Sequence, residues 1–156
     1  DQPFGMRYNR WPPYDVIETG QLSFLALQEL KRFAKFWDRL VNSGHFGFLK
    51  GLLADTPSPF ATFSALSQQL YEIFGRAHTI SLDKLAVALV DALAHLGHRS
   101  RETAAREVAD AFRQSGRKLP AAIRQVVGNE AFQRQKTLPD SPLPDSPLPE
   151  RQRRHR

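Results

Sequence analysis

Two arginines sit among aromatic rings near the start of the chain, and a second set follows about twenty residues later. Arg7, Tyr8, Arg10, Trp11 and Tyr14 fall within eight positions, and Arg32, Lys35 and Trp37 within six. A guanidinium beside indole and phenol rings can hold a carboxylate or stack on a flat ligand, so these eight residues are the candidate pocket-lining or interdomain set. The plainer reading is that Trp11, Tyr14 and Trp37 cement two elements together. Asp91, His95 and His98 are spaced four and three apart, which would gather three metal ligands if one helix ran through them. Gly97 stands between the histidines, however, and imidazoles near a helix C-terminus are also favoured by the helix dipole, so no metal ligand is assigned. Gly44-His45-Phe46-Gly47 has the GxxG form of one RNA-binding loop but follows a helix stop with no strand before it, and it reads as a turn. Nucleotide-cradling glycine motifs and the GxSxG elbow are absent, so no residue is assigned a catalytic role.

The elements that must position these residues begin with a long amphipathic helix. Ser23 is its N-cap, and Leu27, Leu30, Phe33, Ala34, Trp37, Leu40 and Val41 recur at three- and four-residue steps. The spacing predicts a helix from Phe24 to about Ser43 with those residues inward, closed by Gly44 in the left-handed position. Before it, residues 1–22 hold three prolines and two glycines among Phe4, Tyr8, Trp11, Tyr14, Val16 and Ile17. An extended aromatic arm is expected there, lying against a partner surface, because burying each ring is worth about 2 to 3 kcal/mol.

After a short apolar segment from His45 to Leu53, Ser58-Pro59 starts a second long helix to Gly75, with Phe60, Phe63, Leu66, Leu70, Ile73 and Phe74 expected inward. Ser81 caps a third, whose Leu82, Leu85, Leu89, Leu93 and Leu96 alternate with small alanines, and Gly97 ends it. Ser100 opens a fourth with Val108, Ala111 and Phe112 inward, and a short last helix runs from Pro120 to Gly128. From about residue 136 the unit LPDSP is read twice and begun a third time before RQRRHR, a composition that favours a solvated, disordered tail. The expected architecture is all-α: an arm over 1–22, a bundle of about four to six helices over 23–128, and the tail over 129–156.

Composition limits the partners. Of 156 residues, 22 are basic and 16 acidic, and the last 28 carry six basic and four acidic groups, so the charge of +6 is spread out. Nucleic-acid binding would call for clustered charge, and it is not the expectation. The absence of cysteine removes disulfides, thiolate nucleophiles and cysteine-held clusters from this segment. No apolar run is long enough to span a membrane and no signal-peptide core opens the chain, so a cytoplasmic location is the default. The chain opens on Asp1, not methionine, as a piece of a longer polypeptide would.

Three stretches carry a family resemblance: FGMRYNRWPPYDVIET, LSFLALQELKRFAKFWDRLVNSGHF and REVADAFRQSGRKLP. They resemble the C-terminal region, a domain of unknown function, of radical SAM proteins that carry a cobalamin-binding domain. The likeness extends over residues 3 to about 120 and is most specific in the first forty-six. It implies a parent with a cobalamin-binding domain, a barrel holding a [4Fe–4S] cluster through CxxxCxxC, and S-adenosylmethionine as cosubstrate. None of those motifs occurs in this chain. The chain departs from the pattern at Phe24-Leu25-Ala26, where an acidic first turn is expected, and in its LPDSP tail. The expected function is a non-catalytic accessory domain that caps or shapes the barrel of the same polypeptide. The rival is a free-standing helical module binding a protein or nucleic-acid partner.

Overall fold

The computed structural model describes residues 5–12 and 15–128; Tyr14 and the LPDSP tail lie outside the described residues. The arm closes on itself as a ribbon. β1 (Arg7–Tyr8) pairs antiparallel with β2 (Val16–Glu18), Arg7 opposite Glu18 and Tyr8 opposite Val16, with a bulge between them. The Asn9 amide donates to the Asp15 carbonyl at 2.8 Å and extends the pairing. At the ribbon's base Gly5 takes φ +59°, and a Cβ there would come within 3.2 Å of the Gly20 backbone, so the two ends of the ribbon meet closely.

The ribbon hands over to α1 (Phe24–Trp37) through Thr19, whose hydroxyl accepts from the amide of Leu22 at 3.0 Å, and Ser23, whose hydroxyl accepts from Ala26. Regular α-geometry stops at Trp37. Asp38–Asn42 form a π-helical turn, marked by the Ser43 amide reaching five residues back to Asp38, before Gly44 turns the chain at φ 76°. The expected helix therefore reaches its expected end with a widened last turn.

Its inward face differs from the one the three- and four-residue steps predict. Phe36, Leu40 and Val41 are buried, whereas Leu30 and Ala34 are exposed. The reason lies in coverage. Among the described residues α1 packs on α3 (Pro59–Phe74) and on β2, so the first half of its apolar stripe is only partly roofed. The same incomplete roof leaves Phe60, at the start of α3, exposed. Ile73, three positions after fully buried Leu70, has rotated off the core. Both had been expected inside.

The remaining elements follow the start and stop signals. α2 (Phe48–Ala54) buries Leu49, Leu52 and Leu53. Ser58 caps α3, with Pro59 at its first position and Gly75 left-handed at its end. α4 (Leu82–His95) buries seven residues, four of them Leu or Val and three Ala, and is the central helix of the bundle. α5 (Arg101–Gln114) lays Ala104, Ala105 and Ala109 into the core, where small side chains permit close helix approach. Both α4 and α5 end in the same device. His98 donates to Leu93 and Gly97 to Ala94, then Arg117 to Phe112 and Gly116 to Arg113, which satisfies carbonyls a helix end leaves open. A last helical stretch over residues 121–128 closes the core with Ile123, 1% exposed. The fold is mostly helical, as expected, with the small ribbon as its single departure among the described residues. No described helix is long and apolar enough to cross a membrane.

Candidate functional site

The seven described residues of the eight singled out by type divide between two places. Trp37 and Arg32 both belong to the seam between α1 and α3. The indole of Trp37 stacks on Phe33 at 5.8 Å and 8°, and meets the edge of Phe63 at 4.9 Å and 78°. The Arg32 guanidinium lies 4.4 Å over the Tyr71 ring and donates to Gln68 Oε1 at 3.3 Å, and Gln68 donates onward to Glu72. These two therefore join helix to helix. Lys35 is exposed one turn along α1.

On the ribbon Arg7, Tyr8, Arg10 and Trp11 are exposed, Trp11 at 73% and Tyr8 at 50%. The Tyr8 hydroxyl meets Met6 Sδ at 3.2 Å, and the Trp11 backbone amide donates to Asn9 Oδ1. Tyr14 falls outside the described residues. The ribbon is fastened to α1 by an exposed ion pair, Lys31 Nζ to Asp15 Oδ2 at 3.2 Å, a contact of the kind worth at most about 1 kcal/mol.

Between the first half of α1 and the start of α3 lies a groove of about 500 Å³. Leu22, Ala26, Leu30, Phe33 and Phe60 give it an apolar lining, and Glu29 and Arg32 stand on its α1 wall. Phe60 is 61% exposed yet stacks on Phe33 at 5.1 Å, so its ring forms a wall of the groove instead of a plug in the core. With Phe24, Leu25, Tyr8 and Trp11, the large exposed apolar side chains gather on the ribbon, the front of α1 and the front of α3; Ile73 alone of those described lies elsewhere. Of these, Leu30 and Phe60 line the groove itself, and contiguous apolar surface marks an interaction site more often than scattered single residues do. Sequence reasoning assigned Leu30 and Phe60 to the core. Their helical spacing was correct, but spacing alone carries no information about which neighbour covers a face.

Among the described residues two other sizeable hollows accompany it. One, of about 640 Å³, is lined by Ile73, Phe74, Val87, Ala88 and Pro120, and the other, of about 340 Å³, is a polar hollow beside the π turn with Asp38, Asn42, Ser43, His45 and Arg117. Arg39, on that turn, donates to the Ile80 carbonyl and so holds the turn to the loop before α4. Asp91 pairs with Arg101 at 3.0 Å, while α4 stops at His95 and Gly97 turns the chain at φ 72°, so the three spaced ligands do not share one helix. Among the described residues no three His, Cys, Asp or Glu side chains are grouped to hold a metal.

A family model described as a protein of unknown function, DUF4080, matches residues 2–108. The chain belongs to this family. The DUF4080 match takes in the ribbon and α1 to α4 and stops at Val108, inside α5, so the groove between α1 and α3 lies wholly within it. The last helical stretch and Pro120, which lines the second apolar hollow, lie beyond the DUF4080 match. No curated protein and no solved structure matches the chain.

Proposed function

We propose that the chain is the C-terminal accessory domain of a cobalamin-binding radical SAM enzyme, covering or shaping the mouth of the catalytic barrel without performing chemistry itself. The observation that carries this reading is the concentration of exposed apolar side chains on the ribbon and on the fronts of α1 and α3. A domain that worked alone would leave Trp11, Leu25 and Phe60 in water at a cost to solubility, whereas a domain seated on a neighbour has a use for them. The residue types agree with a supporting role. A [4Fe–4S] cluster held by thiolates does not fit this chain, which has no cysteine, and in this reading the cluster lies in the upstream part of the parent, together with S-adenosylmethionine and cobalamin. A free-standing interaction module would use the same face, and the parent's chemistry separates the two.

The test is anaerobic reconstitution of the polypeptide encoded by the whole reading frame, beside the 156-residue chain. The parent is expected to carry visible iron–sulfur and cobalamin absorption and to cleave S-adenosylmethionine on reduction, and the chain alone to do neither. A colourless parent contradicts the assignment.

A further inference from the structure

We propose that the polar hollow beside the π turn binds a small zwitterion of the α-amino-acid class, with Asp38 receiving the ammonium and Arg117 and the His45 ring receiving the carboxylate. Its volume of about 340 Å³ lies at the small end of the range for small-molecule sites, about 300 to 1,000 Å³. Four parts of the chain meet around it. The π turn contributes Asp38 and Asn42, the turn after it His45, the start of α4 Leu82, and the turn after α5 Arg117.

The charges around this hollow are opposite yet unpaired. Asp38 and Arg117 border the same space, and among the described residues neither enters an ion pair. Elsewhere on the surface such neighbours do close on each other, Lys31 on Asp15 and Arg101 on Asp91. The Asp38 carboxylate accepts from Asn42 Nδ2 at 3.4 Å, which leaves most of its acceptor capacity open. The Arg117 backbone amide is fixed on the Phe112 carbonyl at 2.9 Å, while its guanidinium keeps a planar fork of donors that matches a carboxylate. A plain anion would meet repulsion from Asp38, and a plain cation would meet it from Arg117 and Arg39. A ligand carrying both charges satisfies both sides, and Leu82 offers its aliphatic side chain an apolar wall.

The frame that holds these groups is tied down. Arg39 donates to the Ile80 carbonyl, and the Ser43 hydroxyl donates to the Arg39 carbonyl at 2.6 Å and accepts from the His45 amide at 3.3 Å. Ile80 follows Thr79, held at φ 56°, a backbone conformation a β-branched residue rarely adopts unless its surroundings impose it. Groups fixed before a ligand arrives cost less to order on binding, and π turns inside helices recur at functional sites.

The experiment is titration of the 156-residue chain with L-leucine, followed by 15N–1H spectra, so its outcome does not depend on the parent's cofactors. Saturable shifts are expected at the amides of Asn42, Ser43, His45 and Arg117. N-acetyl-L-leucine, which lacks the ammonium, and L-leucinamide, which lacks the carboxylate, are expected to bind several-fold more weakly, as is leucine to Asp38→Asn and to Arg117→Gln. Silence of these amides up to the solubility limit of leucine would overturn the proposal. So would phosphate or N-acetyl-L-leucine binding as tightly as leucine, which would make the hollow a plain anion site. Leucine binding indifferent to both substitutions would place it elsewhere and also overturn the proposal. If a substitution disturbs the spectrum of the whole chain, the comparison of the three leucine compounds on the unaltered chain decides.

Discussion

At the scale of single residues, the two tryptophans show how one side-chain type serves opposite ends. Trp37 is held between Phe33 and Phe63, and Trp11 is 73% exposed on the ribbon. Trp37→Ala is expected to cost about 3 kcal/mol, the lower end for a large aromatic truncation because the indole is only half-buried. Trp11→Ala should stay within about 0.5 kcal/mol in the isolated chain. Urea melts of the two variants measure the difference, and equal losses would place the ribbon's indole in the core. The sequence made both tryptophans visible as candidates. What separated them was not legible, because an indole beside an arginine reads the same whether its neighbour is a phenylalanine of this chain or the surface of another domain. Arg32 shows the same limit: its charge suggested a ligand, and its position over Tyr71 makes it a strut between helices.

Among the elements, what is local was legible and what is tertiary was not. Ser23, Ser58, Ser81 and Ser100 each cap the helix they precede, and Gly44, Gly75, Gly97 and Gly116 each take the left-handed turn after one, because caps and stops are satisfied by groups within a few residues. Gly97→Ala is expected to cost about 1 kcal/mol. Nothing lies within 4 Å of the added Cβ, so the loss is conformational, and Gly97→Asn should recover part of it in urea melts of the two variants. The ribbon was expected only as an extended arm, since its pairing depends on a bulge and on Gly5 meeting Gly20 across the hairpin. The π turn at Asp38–Asn42 carried no sequence signal either, and it follows from holding Leu40 and Val41 in the core while Arg39 reaches Ile80.

Across the whole molecule, α4 is the post on which the bundle stands, and its tolerance to volume is the sharpest test of the packing. Ala86 is fully buried on α4 and Ala105 on α5, and the two helices pack on each other. Ala86→Leu is expected to destabilise by about 1 to 3 kcal/mol, measured by urea denaturation, because the helices cannot separate without parting Val108 and Phe112 from the core. The apolar periodicity of α4 announced this role, since a helix rich in leucine and alanine on most of its faces must be surrounded.

The fronts of α1 and α3 and the ribbon leave Leu30, Phe60 and Trp11 uncovered, and this is the surface by which the chain is proposed to seat on its parent. The most direct measurement of that claim is titration of the 156-residue chain into the parent polypeptide truncated before it, followed by calorimetry under anaerobic conditions. The account predicts a one-to-one complex that Leu30→Asp weakens by about tenfold or more, at least about 1.4 kcal/mol, with the helical circular dichroism of the chain unchanged. No association, or association indifferent to Leu30→Asp and Phe60→Ala alike, would contradict it.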